Sequence, residues 1–176
     1  MGKRSNFERK ENDFYPTPYR AVVPLFRHLP PAVKYCEPCA GAGDLIRHLE
    51  SQNHDCTAAY DIAPQAPWIR ELDASFIVPS DLNGADYIIT NPPWERDPLH
   101  QIIERCSILA PTWLLFDADW MHTRQSGQFA TILVKIVSVG RIKWIEDSDM
   151  TGKDNCCWYL FDANHVGPTT FFGRHP

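Results

Sequence analysis

The sequence predicts an α/β fold built on a mostly parallel sheet, and three observations carry this. Short apolar runs bounded by turn residues recur along the chain: VKYCE (33–37), CTAAY (56–60), DYIIT (86–90) and TWLLF (112–116). Segments with apolar residues at helical spacing lie between them, and strands that alternate with helices pair in parallel. The last third then changes character. Residues 136–145 and 156–161 both read as strands with the turn-rich DSDMTGKDN (147–155) between them, which predicts a closing antiparallel pair.

The elements follow in order. Residues 1–12 are polar and charged and are expected to be a flexible segment, with 13–176 forming a single domain. DFYPTP (13–18) is too rich in proline for a helix or a central strand. Thr17 followed by Pro18 predicts an N-cap with proline at the first helical position. The helix should run to about Leu29, with Val22, Leu25, Phe26 and Leu29 on one face and a kink at Pro24. After the first strand, a glycine-containing turn (39–43) opens a helix from about Asp44 to Ser51, with Leu45, Ile46 and Leu49 inward. A weaker third strand is expected around SFIV (75–78). Asp97 and Pro98 should cap a helix running to about Leu109, and a further helix is expected over roughly 126–134. CCWYLF (156–161) is apolar at every position, so both of its faces should be buried.

Composition narrows the classes. The chain is 44% hydrophobic and 22% charged, which suits a folded domain rather than a disordered one. No apolar run nears the ~20 residues that span a bilayer, and the opening MGKRSNFERKEND lacks the apolar stretch of a secretion signal. No membrane association and a cytoplasmic location are therefore expected. The six cysteines should be free thiols there. Cys36 and Cys39 form a CxxC without a second pair, and the adjacent Cys156 and Cys157 are poorly spaced as zinc ligands, so no metal is expected. A net charge of −5 counts against a nucleic-acid partner. Basic residues nevertheless fall near one another at Lys3, Arg4, Arg9 and Lys10 and again at Arg141, Lys143 and Lys153, which is read either as a local basic patch or as scattered solvated charges.

Four features carry chemistry. EPCAGAGD (37–44) joins a strand to a helix, and Gly41 and Gly43 let the backbone turn tightly and approach a ligand at the helix N-terminus. A ligand-free turn could use the same glycines. Glu37, at the end of a buried strand, is costly unless paired, and a ligand ammonium would pair it. Asp61 follows the second strand, 18 residues after Gly43, where doubly wound sheets place a carboxylate on ribose hydroxyls; a solvated turn aspartate is the alternative. Ile62 beside it could cover one face of an adenine, and Asp73 could accept from an adenine amine. NPPW (91–94) is the most specific of the four. Pro92 and Pro93 stiffen the exit of DYIIT and remove backbone donors. Asn91 adds a side-chain carbonyl and Trp94 a broad π-face. Two acceptors on an aromatic amine favour a pyramidal nitrogen as charge develops, and a ring can stack on a base.

EPCAGAGD and NPPW together resemble class I S-adenosylmethionine-dependent methyltransferases, in particular the adenine-N6 DNA methyltransferases. DFYPTP is similar to an extra cofactor-binding segment of that group, and with the late TGKDN-aromatic-LF stretch it resembles small phage-encoded members. The similarity covers residues 13 to about 162. It implies a Rossmann-like seven-stranded sheet in the order 3-2-1-4-5-7-6 with strand 7 antiparallel. It implies S-adenosylmethionine as cofactor, with Phe14, Tyr15, Thr17 and Pro18 at its methionine end. Glu37, Pro38, Ala40, Gly41 and Gly43 would hold its amino-acid and ribose portions, Asp61 and Ile62 its nucleoside, and Asp73 its adenine. Asn91, Pro92, Pro93 and Trp94 would hold the target base, with Asn91 also beside the cofactor. The loop after strand 5 (117–122) and the 147–155 loop should share the NPPW edge, making Trp120 and Lys153 candidates for substrate contact, with a core place for Trp120 and a solvated one for Lys153 as the alternatives. DNA is the expected partner, with RNA or a protein glutamine amide as alternatives. No separate target-recognition region is evident, so a partner subunit or homodimer is expected to supply specificity. A non-catalytic cofactor-binding module is the reading from another class.

Overall fold

The computed structural model describes residues 15–144 and 154–174. In chain order its elements are α1 (Tyr19–Phe26), β1 (Lys34–Glu37), α2 (Asp44–Glu50), β2 (Asp55–Asp61), β3 (Arg70–Glu71), β4 (Tyr87–Thr90), α3 (Arg96–Ser107), β5 (Thr112–Asp117), β6 (Leu133–Arg141), β7 (Asn155–Phe161) and β8 (Thr170–Phe172). They form an eight-stranded sheet in the order β3-β2-β1-β4-β5-β7-β6-β8. The strands from β3 through β5 pair in parallel. β7 runs antiparallel to both β5 and β6, and β8 lies parallel to β6. The expected order is present, extended by an eighth strand where seven were expected.

Successive strand residues feed two cores, one on each face of the sheet. Tyr35, Trp113, Leu115 and Trp158 join Leu25, Leu45 and Leu49 of α1 and α2. Cys36, Leu114, Phe116 and Tyr159 join Ile102, Ile103 and Cys106 of α3. β7 lies between two strands and under both layers, so six of its seven residues are buried, as the unbroken apolar run implies. The Trp158 indole N–H donates to the Ala21 carbonyl at 2.8 Å, which fixes α1 against the sheet.

Three local expectations are corrected. The third strand is Arg70–Glu71, not 75–78; Ala74–Phe76 is instead a 3-10 turn capped by Asp73, and Pro79 ends the run that would have been a strand. Over 126–134 no α-helix forms. A 3-10 segment, Arg124–Phe129, capped by Thr123, gives way to β6 at Leu133, where β-branched residues favour extended backbone. Pro18 is the N-cap of α1 rather than its first helical residue, with no side-chain cap bond, and the helix ends at Phe26. Among the described residues no helix is long and apolar enough to cross a membrane.

Candidate active site

The carboxyl ends of β1, β2 and β4 share one edge of the sheet, and the candidate site is built there. β1 ends in buried Glu37, and the chain then turns through Gly41 (φ +55°) and Gly43 (φ +82°) into α2. Asp61, at the end of β2, holds this turn in place. Its Oδ2 accepts from the Gly41 N–H at 2.7 Å and its Oδ1 from the Ala63 N–H at 2.8 Å. Each carboxylate oxygen retains capacity for a further donor. Gly43 serves the fold rather than the cavity: a Cβ there would stand 2.5 Å from the Trp68 ring.

At the exit of β4, Asn91 is held from both sides. Its Nδ2 donates to Thr17 Oγ1 at 3.2 Å, and its Oδ1 accepts from the Trp94 indole N–H at 3.4 Å. Thr17 is itself buried, and its carbonyl accepts from His48 Nε2 at 3.1 Å. The proline-rich segment before α1 is thus tied to α2 and to the β4 exit. The Trp94 ring meets Trp144 edge-on, with centroids 5.5 Å apart.

These segments enclose a cavity of about 590 Å³, a size that suits a small-molecule ligand. Tyr15, Thr17, Glu37, Pro38, Ala40 and Gly41 line one part of it, Asp61, Ile62 and Asp73 another, and Asn91 and Pro93 a third. Asp73 faces it as the cap of the 3-10 turn, its Oδ1 accepting from the Ser75 N–H and hydroxyl at 2.8 and 2.7 Å. Pro18, Gly43, Pro92 and Trp94 do not line the cavity. Phe14 and Lys153 lie outside the described residues. Trp120, a candidate for either substrate contact or the core, lies in the core. It is 7% exposed, donates to His100 Nε2 at 3.1 Å, and packs among Phe116, Phe129, Tyr159 and Phe161. Reasoning from sequence missed Gln65 and Ser75 and the α3 residues Pro98, Gln101 and Ile102. The i, i+3, i+4 spacing of that trio places it on one helix face, which was the signal available.

Electrostatics single out Glu37. It is 2% exposed and its Oε2 has no hydrogen-bond partner. Burial holds its carboxyl well above the usual carboxylate range, and the nearby charges of Asp61 and Asp44 push the same way. A cation brought into the cavity beside Glu37 would relieve this cost. Cys39 also lines the cavity, but burial pushes its thiol up, which leaves little thiolate for nucleophilic chemistry. The arrangement fits a ligand with an ammonium near Glu37, hydroxyls near Asp61 and a flat ring beside Ile62, which is 58% exposed.

No protein-family model and no curated protein matches this sequence. Solved structures match it in fold. A candidate RNA methyltransferase from Pyrococcus horikoshii is 14% identical with a TM-score of 0.61, over 91% of this chain and 93% of that one. A type I restriction-modification system methyltransferase subunit from Streptococcus thermophilus is 8% identical with a TM-score of 0.59, over 90% of this chain and 47% of that one, so the present chain spans about half its length. A candidate class I S-adenosylmethionine-dependent methyltransferase from Listeria monocytogenes is 10% identical with a TM-score of 0.53, over 88% of this chain and 62% of that one. Strand order, the antiparallel β7 and these neighbours together give the chain the Rossmann-like fold of class I S-adenosylmethionine-dependent methyltransferases.

Proposed function

We propose that the protein is an S-adenosylmethionine-dependent methyltransferase acting on the N6 amine of adenine in DNA. One observation carries this reading: Asn91 of NPPW opens onto the same cavity as Glu37, whose Oε2 is unpartnered, and Asp61. The residues present fit the cofactor. Glu37 would take its ammonium, Asp61 its ribose hydroxyls, Ile62 and Asp73 its adenine, and Tyr15, Thr17, Pro38, Ala40 and Gly41 would enclose the remainder. When bound, the cofactor supplies a sulfonium methyl to an attacking nitrogen.

The chain's own part is to hold that nitrogen. The Asn91 amide is fixed in orientation by Thr17 and Trp94, which leaves its Oδ1 a second lone pair for an incoming amine N–H. In this reading the second acceptor is the Pro92 carbonyl, which no described backbone N–H in a turn or loop takes and which stands between the cavity-lining Asn91 and Pro93. Two acceptors draw the amine lone pair out of conjugation and stabilise the positive charge that grows on nitrogen during transfer. Alignment supplies the remainder of the rate. Trp94 stands one hydrogen bond behind Asn91, so in this reading it first positions the amide, and its half-buried ring offers the base only the surface left exposed. A partner subunit or a second copy of the chain would supply sequence recognition.

The test is transfer of tritiated methyl to DNA, RNA and protein side by side, followed by nucleoside mass spectrometry. N6-methyladenine in DNA is the expected product. Label in RNA or in protein glutamine redirects the substrate, and tight cofactor binding without transfer to any of them ends the catalytic reading.

A further inference from the structure

Beside the cavity runs a second groove of about 590 Å³, walled by α1 on one side and by β6 and the segment after β8 on the other. Arg20, Arg27, Arg141, Lys143 and Arg174 line it, and among the described residues no carboxylate does. This is unexpected in a chain with 22 acidic against 17 basic residues. All five side chains are exposed, and among the described residues none forms an ion pair. Five uncompensated cations converging on one groove repel one another, so an anionic occupant gains from all of them.

Backbone features shape the groove for one of these cations. Gly140 has φ +89° and sits where β6 bulges against β7. A Cβ at that position would stand 3.1 Å from an Arg174 guanidinium nitrogen. The strand therefore carries no side chain where Arg174 crosses it. The groove also adjoins the candidate active site. Pro18 lines the groove and its neighbour Thr17 lines the cavity. β6 runs in the same direction as β5, because both are antiparallel to β7, so Arg141 lies at the edge that carries Asn91.

We propose that this groove holds the phosphodiester backbone of the DNA strand whose base enters the neighbouring cavity. Naming DNA rests on the methyltransferase reading; the polyanion chemistry stands on the five cations. The span from Arg20 to Arg27 along α1 is roughly 10 Å, which covers about three phosphates of one strand along a duplex axis. A single small anion would not engage cations spread over a helix and two strand ends.

The experiment uses the full chain and fluorescein-labelled DNA duplexes, with anisotropy read across ~50–200 mM salt. The wild type should bind with a steep salt dependence. Replacing Arg141, Lys143 and Arg174 with Gln should weaken binding at least about tenfold at low salt and reduce the log–log salt slope by about 2–3, near one unit for each cation removed from a phosphate. Replacing the two arginines with Lys should restore most of the affinity. Lys34→Gln, which removes a cation at the opposite end of β1, should leave binding unchanged, and thermal melts confirm that each variant is folded. A triple variant that binds like the wild type, a wild type that does not bind DNA, or a preference for RNA of the same sequence overturns the assignment. Groove and active site fail separately. Groove-dependent binding without methyl transfer sinks the enzymatic reading alone, whereas methylation with an unchanged KM and salt slope in the triple variant sinks the groove alone.

Discussion

Replacing Glu37 with Gln tests the physical centre of the site. In this protein the carboxyl is buried with its Oε2 unpartnered, and its folded pKa lies well above its ordinary value, chiefly through burial and then through Asp61 and Asp44. The unfolded chain titrates near ~4.3. Because the folded value is the higher one, the stability associated with this group is fully present below about pH 4.3 and is lost as pH rises toward the folded pKa. Within that window the loss is about 1 kcal/mol per pH unit or slightly more. A domain of this size shifts its midpoint by roughly 2–4 °C per kcal/mol. The Gln variant does not titrate, so its Tm should gain on the wild type by about 3–5 °C per pH unit above pH 4.3 until the folded pKa is passed. Binding should move the opposite way. A charge-assisted hydrogen bond to a ligand ammonium is worth ~1.5–3 kcal/mol, so the variant should bind S-adenosylhomocysteine about 10- to 100-fold more weakly. Binding to the wild type at pH values below the folded pKa should also release a proton from Glu37. That release is measurable by calorimetry in buffers of different ionisation enthalpy, and it should vanish in the variant. A Tm difference independent of pH, together with equal affinity, would refute the argument.

The same geometry sets three further outcomes. Asn91→Ala should reduce methyl transfer by ~100- to 1,000-fold, the usual cost of one lost transition-state partner, while calorimetry finds cofactor affinity unchanged; joint loss of both would break the division of roles. Gly43→Ala should destabilise by at least ~1–2 kcal/mol in urea denaturation, from its left-handed backbone and the Trp68 ring 2.5 Å from the new Cβ. Adding Trp68→Ala should recover only the steric part of that loss. Trp120→Ala should cost ~3–5 kcal/mol as a large core truncation; a change within ~0.5 kcal/mol would instead mark a surface residue.

The strands legible in the sequence were those whose burial writes itself as an apolar run. β1, β2, β4, β5 and β7 are such runs, and each lies within a residue or two of its expected bounds. β3 and β8 left no such trace. One is two exposed residues and the other three mostly exposed ones, so their pairing is decided by neighbouring strands rather than by their own side chains. SFIV resembled a strand because its residues suit one, but the Asp73 side chain captures the Ser75 N–H and turns the backbone instead. At the site, residues at strand ends were readable because an acid or asparagine there has no other obvious purpose. The α3 face was not, since Pro98 and Ile102 look like ordinary helix residues until the cavity is seen beside them. Trp94 and Trp120 show the limit of composition. Both are rings near the active edge, yet one is bonded behind Asn91 and the other is sealed in an aromatic cluster.

The sheet closes at both margins with its shortest members, β3 on one flank and β8 on the other. A rim two or three residues long offers a foreign chain few unpaired amides on which to dock. β8 matters more, because it caps β6, whose nine residues would otherwise form a long sticky template. Losing that three-residue cover would leave the edge that carries Asn91 intact while turning a protected flank into a seed for intermolecular strand addition.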